Sequence, residues 1–258
     1  FAQSCPITAY SYDKNTCRRS EPVEISRKGL PLLGTVLENK RITRANWDQD
    51  TRHLCIQLQS LDDGPLCDVA SLPYIAGDIA SVLPFNSDGE VNRFLAVLPP
   101  RIQEAADRPV QLEIDPVLMN NGFTRWPPLF TLRGWLKYCA DIHALPERED
   151  LRSISFYCAD DNETGQAQRD KLRGLSETSE AALYADYILR EKRSWADVLY
   201  DFESLRAPNS KLSIEALLAL LPSMRPRDFS IASAPSKRLH SGPGFAIELC
   251  VAIVQGKT

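Results

Sequence analysis

The sequence predicts a β + α protein: a small antiparallel β-barrel with an all-helical domain inserted between its two halves. Three observations lead there. Stretches near residues 33–38 and 54–59 and again near 247–254 alternate apolar and polar residues with a period of two, as strands do. The long middle of the chain instead carries apolar residues at helical spacing. A helical block between two halves of one β unit is simplest if the halves close on each other, because an open half-sheet leaves unpaired edges.

Taken in order, residues 1–28 lack clear periodicity and carry Ser, Pro, Lys and Arg, as an inter-domain linker or the remnant of a preceding domain would. The first part of the β unit is expected over 29–87. There Leu33, Thr35 and Leu37 alternate with Gly34, Val36 and Glu38, and Leu54, Ile56 and Leu58 with Cys55, Gln57 and Gln59. A further apolar stretch, 78–85, runs into Asn86. Ser87-Asp88-Gly89-Glu90 is a capping box, in which hydroxyl and carboxylate satisfy free amides at a helix start. Val91, Phe94, Leu95 and Leu98 follow at helical spacing, and Pro99-Pro100 is expected to close that helix.

The helical domain is expected over 88–222. Leu132, Trp135, Leu136 and Cys139 form one apolar stripe. Tyr184, Tyr187, Ile188, Trp195, Val198, Leu199 and Phe202 form a longer one, broken around Arg190-Glu191-Lys192-Arg193. Such aromatic stripes read as core packing ahead of a cofactor box. Ser213 is an N-cap for a last helix ending at Pro222. The second part of the β unit, 223–258, holds a β-prone run at 229–234. It ends with Ile247, Leu249, Val251 and Ile253 alternating with Glu248, Cys250, Ala252 and Val254.

The 258 residues suffice for a sizeable core, and 43% are hydrophobic. Charged residues make up 25%, are mixed along the chain and sum to −4, which gives no electrostatic case for nucleic acid or a membrane surface. The longest apolar run, 214–222, is interrupted by Glu215 and is too short to span a bilayer. No basic-then-apolar leader opens the chain, and Phe1 suggests that a natural start has been removed. Seven scattered cysteines with no CxxC read as free thiols of a reducing compartment, although Cys5 and Cys17 could pair if oxidised. His53, His143 and His240 are far apart, and no metal site is expected.

The stretch richest in chemistry is Arg227-Asp228-Phe229-Ser230-Ile231-Ala232-Ser233-Ala234. It sets a cation, an aromatic ring and a hydroxyl at the start of a strand, with Arg227 and Phe229 on one side. A guanidinium grips a diphosphate through paired hydrogen bonds, a flat ring stacks on a flavin, and a hydroxyl bonds the flavin's polar edge. Arg-x-aromatic-Ser also occurs on ordinary surface strands. The full string resembles the Arg-x-Tyr-Ser motif of the ferredoxin–NADP reductase superfamily, above all its diflavin branch of cytochrome P-450 reductase-like proteins. The likeness covers 33–258. Tyr74-Ile75-Ala76-Gly77-Asp78 with Val82, Pro84 and Asn86 resembles a barrel segment of that family. Leu136-Lys137-Tyr138, Asp141-Ile142-His143-Ala144-Leu145-Pro146, Lys171-Leu172, Tyr184-Ala185-Asp186-Tyr187 and Asp197-Val198-Leu199-Tyr200-Asp201-Phe202 resemble its connecting domain. Phe229 in place of Tyr, and the string from Asp141 to Pro146, are most similar to the cytosolic iron–sulfur assembly branch of NADPH-dependent diflavin reductases.

The resemblance implies a Greek-key FAD-binding barrel of the ferredoxin–NADP reductase type and a cytoplasmic location. It also implies an electron path from NADPH through FAD and FMN to a protein acceptor, anamorsin in that branch. FMN and NADPH would be held by flavodoxin-like and nucleotide-binding domains of the same parent. Arg227 would bind the FAD pyrophosphate, Phe229 would stack on the isoalloxazine, and Ser230 would bond near its redox-active nitrogen, with Asp228 between them. Lys192, beside Arg193, stands where the family has an FAD-phosphate arginine; both also read as a solvated basic patch. Lysine keeps that charge but loses the bidentate fork. Cys250 and Ala252 lie on the strand that the family runs beside the adenine half of FAD, or else fill the barrel core. Tyr74, Gly77 and Asp78 are expected to shape a turn without chemistry.

Ala76 replaces the family's usual Pro, and Gly256 stands where an adenine-covering aromatic is frequent. The family's next element after Thr258 would be a phosphate loop, so the segment is expected to be truncated before it, to hold part of an FAD site and no catalytic residue. It would then be inactive with NADPH alone. One other reading is a redox-silent fragment or paralogue that serves as a docking module; within the family, the alternative is a cytochrome P-450 reductase-like electron donor. No Gly-x-Ser-x-Gly or acid pair supports a hydrolase.

Overall fold

The computed structural model describes residues 9–12, 19–23, 32–60, 74, 77–111, 129–234 and 245–253. Strands β1 (Ala9–Tyr12) and β2 (Arg19–Val23) pair antiparallel, so part of the expected linker is a short ladder. The main sheet is β3 (Leu32–Arg41), β4 (Asp50–Ser60) and a late strand, Phe245–Ile253, in the order first, second, last, all antiparallel.

The alternation expected at β4 holds, with Leu54, Ile56 and Leu58 packed inward. In β3 it does not. Register shifts between Val36 and Glu38, which makes Leu37 the extra residue of a β-bulge. Val36 lies opposite inward-facing Ile56 and so turns inward, while Leu37 is exposed, the reverse of the expected faces.

Strand β5 (Ile79–Val82) leads to helix α1 (Asp88–Ala96), and the capping box forms as expected: Ser87 N–H donates to Glu90 at 2.7 Å and Glu90 N–H to Ser87 Oγ at 3.3 Å. Pro99-Pro100 ends this helix but also starts another, α2 (Pro100–Ala105), because proline lacks only an N–H that is unused in a first turn. Between α2 and α3 (Leu132–Tyr138) two short strands pair, β6 (Pro109–Gln111) and β7 (Leu129–Thr131). The inserted block is thus not all-helical.

Helices α4 (Arg148–Ser155) and α5 (Glu163–Ser176) pack together, and α6 (Ala181–Tyr184) runs into a π-helical turn, Ala185–Arg190. This turn is the physical form of the break expected near Arg190. Then come α7 (Trp195–Asp201), α8 (Glu203–Arg206) and α9 (Ile214–Leu220), the last capped by Ser213 as expected. The aromatic stripes are core: Trp135, Leu136, Ile188, Trp195, Leu199 and Phe202 are buried in one large cluster with Phe94 and Leu98.

The chain returns to the β unit as β8 (Arg227–Ser230) and then β9, the late strand Phe245–Ile253. β8 pairs with β5, and a bridge between Ile231 and Leu249 ties it to β9. The array reads β3-β4-β9-β8-β5, antiparallel throughout. Among the described residues it does not close into the expected barrel: β3 and β5 stand at opposite ends, with no ladder between them. A second, smaller core of Ile56, Ile231, Ile247 and Leu249 lies on one face of this array. No described helix is long and apolar enough to cross a membrane.

Where the inserted block meets the sheet, one helix end holds both crossing chains. Asn86 is buried; its Nδ2 donates to the carbonyls of Leu136 at 2.6 Å and Ala140 at 2.9 Å, and its N–H to Lys137 O at 2.9 Å. These carbonyls belong to the C-terminal end of α3, where helical partners run out. On the return crossing Asp141 N–H donates to Pro222 O at 2.8 Å, Met224 N–H to Cys139 O at 2.6 Å, and Ala140 bridges Ser223.

Candidate functional site

The candidate site is built on β8. Its register with β5 sets Ala80 opposite Phe229 and Val82 opposite Arg227, so these four share a face. Ala80, Val82 and Phe229 pack on the smaller core; Arg227, at the ladder's end, is exposed and has no hydrogen-bond or ion-pair partner among the described residues. The expectation that Arg227 and Phe229 face the same side therefore holds. Asp228 and Ser230 lie on the other face, with Ser81 and Ile79 opposite them, and the Ser81 hydroxyl donates to Asp228.

A bulge explains how β8 is aimed. Gly77 N–H donates to Ile231 O at 3.1 Å, and Ile231 N–H donates to Asp78 O at 2.6 Å. Two residues thus oppose one, with Gly77 at φ 96°, a left-handed conformation that glycine adopts without a side-chain clash. The turn role expected of Gly77 and Asp78 takes this form. Counting along the ladder from that bulge, Phe229 and Arg227 exchange main-chain bonds with β5, while the amides of Asp228 and Ser230 point to the other edge. Among the described residues, β9 joins that edge at Ile231, where Ala232 N–H also donates to Glu248 O at 2.8 Å. No described ladder continues between β8 and β9 beyond this junction, so the Asp228 and Ser230 amides face an edge without a described β9 partner, termed the split. The junction is braced by buried Ser233, whose hydroxyl meets Tyr74 Oη at 3.0 Å and accepts from Glu248 N–H at 3.1 Å.

Cys250 and Ala252 sit on β9 opposite His53 and Thr51, and both are exposed. The core of β9 is made by Ile247 and Leu249, one residue out of phase, so the alternative in which Cys250 and Ala252 fill the barrel core is not what forms. They share the outward face with Asp228 and Ser230. The predicted residues are therefore divided between two faces: Arg227 and Phe229 on the face of the smaller core, with Arg227 exposed at its rim, and Asp228, Ser230, Cys250 and Ala252 on the outward face.

Lys192 lies in the helical block, in the turn after the π-helix. It is the only described non-glycine residue with positive φ, 51°. Its side chain is exposed and lacks a described ion-pair partner, whereas Arg193 is used structurally: it pairs with Asp201 at 2.6 Å and stacks 4.8 Å over Tyr187. Tyr187 donates to the same carboxylate at 2.8 Å, and burial, then Asp201, raises its pKa. Arg193 is thus not a solvated patch but the brace beneath Lys192. No described hydrogen bond or ion pair links Lys192 to Arg227.

Cys55, Cys139, Cys158 and Cys250 are free thiols; the expected alternative of a Cys5–Cys17 pair lies outside the described residues, as do Ala76, His240 and Gly256. No described cluster of His, Cys, Asp and Glu could hold a metal. A shallow cleft of about 370 Å³ in the helical block, lined by Glu90, Arg93, His143 and Tyr200 among others, includes none of the predicted residues.

Sequence reasoning singled out Arg227, Phe229 and Ser230 from their residue types. It passed over the edge where β9 meets β8 at Ile231 and the Gly77 bulge, because both depend on pairing between separate segments, in the second case about 150 residues apart.

Compared with known proteins, residues 27–258 match the family described as FAD binding domain. The chain is similar to NADPH-dependent diflavin oxidoreductase 1 of Candida albicans, 33% identical over 91% of the chain and 35% of that protein. The protein of the same name from Debaryomyces hansenii is 29% identical over 98% of the chain and 39% of its own length. That of Saccharomyces cerevisiae is 33% identical over 88% and 34%. The chain thus spans little more than a third of the length of these relatives.

Proposed function

The chain belongs to the FAD binding domain family, and from that premise we propose that it is the FAD-binding and connecting portion of an NADPH-dependent diflavin oxidoreductase. The observation that carries this reading is Arg227, without a described partner, on the same face of β8 as Phe229, next to a strand edge that the described β9 meets at Ile231. Such an arrangement fits FAD. The exposed guanidinium meets a diphosphate through two parallel hydrogen bonds. The ring of Phe229 meets the flat isoalloxazine. The amides of Asp228 and Ser230, with the Ser230 hydroxyl, meet its polar edge at the split. Asp228 contributes its main chain, since its carboxylate is engaged by Ser81 on the outward face. Cys250 and Ala252 form the opposite wall, where the adenine half would lie, and Lys192 adds a second cation for the phosphates.

FAD, when bound, supplies the conversion between the hydride of NADPH and single electrons; the polypeptide holds it, shields it and tunes its surroundings. In the parent protein electrons would go from NADPH to FAD, to FMN and then to a protein acceptor of cytosolic iron–sulfur assembly, anamorsin. Flavodoxin-like and nucleotide-binding domains would flank this segment. A Greek-key barrel belongs to the same proposal. So does a cytoplasmic location, which suits the free thiols.

Titration of the chain with FAD, followed by quenching of flavin fluorescence, tests the reading. Saturable binding that weakens on the order of a hundredfold in Arg227→Ala is expected, the scale of a lost charge-assisted pair. Equal binding by the variant removes Arg227 from the site. No binding by the folded wild-type chain favours the docking-module reading.

A further inference from the structure

We infer that Asn86 is a positioning residue for the Arg227–Ser230 strand. The inference rests on the FAD reading for its consequence, but the clamp behind it is a matter of geometry. The helical block is joined to the sheet by two crossings, 83–86 on the way out and 222–226 on the way back. These crossings continue the two strands of the β5–β8 ladder from one and the same end, where Val82 pairs with Arg227. Both crossings are bonded to the C-terminal end of α3.

Asn86 supplies the outgoing half. Its side-chain amide is a double donor, and it takes the carbonyls of Leu136 and Ala140 at 2.6 and 2.9 Å, while its own N–H takes Lys137 O at 2.9 Å. Lys137 strengthens the same grip by an ion pair to Asp88 at 2.8 Å, with its ammonium 5.8 Å from the ring of Phe85. The returning half leaves from the next residues, Cys139, Ala140 and Asp141, which bond Met224, Ser223 and Pro222. Met224 is three residues before Arg227. Asn86 thus fixes the very turn of main chain from which the strand carrying Arg227 and Phe229 is hung. Only a side chain with two donors at this reach does so. Aspartate would bring acceptors against two carbonyls, and leucine would leave both carbonyls buried without a donor.

The test compares wild type, Asn86→Asp and Asn86→Leu, each with and without a staple made by Ala140→Cys and Ser223→Cys, the pair already bridged across the returning crossing. Cys139 beside it stays out of the exchange, because burial pushes its thiol pKa up to about 12. Amide hydrogen exchange is read first, without FAD. In the Asn86 variants, faster exchange is expected at Met224 and at 227–231 while α7 and α9 stay protected; the staple should restore protection. FAD titration is read second. An affinity loss of about tenfold is expected, with a diminished spectral shift of the bound flavin, and both should recover in the oxidised staple and vanish again on reduction.

Unchanged exchange at 227–231 in a folded Asn86→Leu overturns the inference, whatever FAD does. So does altered exchange with wild-type FAD affinity and spectrum. Should the single variants fail to fold, the stapled forms decide: recovered binding supports the positioning role, and a folded stapled chain that still binds poorly overturns it. Failure of the FAD reading itself would be seen separately, as absence of binding by wild type.

Discussion

Arg227 and Lys192 are both exposed cations without described partners, yet they are held in different ways. Arg227 ends a paired strand, so its main chain is settled by the ladder. Lys192 occupies a left-handed turn, which costs a non-glycine residue roughly 1–2 kcal/mol. That strain is held by Arg193 N–H donating to Ile188 O at 3.1 Å and by the Arg193–Asp201 pair. A residue kept where glycine would be easier suggests that its charge matters. Lys192→Gly is therefore expected to raise stability by about 1 kcal/mol while lowering FAD affinity severalfold. Thermal unfolding and flavin titration on one sample check both; a gain in stability with unchanged affinity would leave Lys192 as an ordinary turn residue. At Gly77 the sign is opposite. A Cβ there would meet nothing within 4 Å, so Gly77→Ala should cost only the left-handed penalty, about 1–2 kcal/mol, measurable by denaturant unfolding.

Among the elements, α1 shows how a local sequence signal becomes a pH-dependent one. Burial opposes the ionised Glu90 carboxylate, but the Ser87 hydroxyl, the Ser87 amide and His143 at 3.0 Å outweigh it and hold its pKa below the usual value. A depressed folded pKa means that the stabilisation is complete above the unfolded value, about 4.3, and is lost as pH falls through the lower folded one. Stability of the wild type should thus fall more steeply below about pH 4.3 than that of Glu90→Gln, as acid titration followed by circular dichroism at 222 nm would report. Equal slopes would mean that Glu90 adds no ionic contribution to the cap. The bulge at Leu37 teaches the complementary lesson: one extra residue in β3 exchanges the faces of everything beyond it.

At the scale of the whole molecule, the described residues form two cores of unequal size. The helical block buries Trp135, Trp195, Phe94 and many leucines, whereas the described sheet buries Ile56, Ile231, Ile247 and Leu249 as its centre. Opening of the sheet should therefore require less free energy than opening of the helices. Hydrogen exchange is expected to show β4 and β9 amides less protected than those of α3 and α7, with FAD narrowing the gap by about 2.7 kcal/mol at a hundred times its dissociation constant. A single protection level across both cores would instead mean that the clamp at Asn86 makes them one cooperative unit.

The residues by themselves determined the order β, α, β, the capped start of α1, the buried stripes and the presence of a cation, ring and hydroxyl in Arg227, Phe229 and Ser230. These follow from periodicity, cap chemistry and residue type, which act over a few neighbours. Family membership was legible for the same reason, since the strings at 74–86, 136–146 and 226–233 are local. Only the tertiary structure decided which faces those residues occupy. The bulges at Leu37 and Gly77, the split between β8 and β9, the outward turn of Asp228, Cys250 and Ala252, and the grip of Asn86 on α3 all depend on pairing between distant segments. A one-residue change of register there reverses a strand's faces without altering its composition, so no reading of periodicity along a single strand could foresee it.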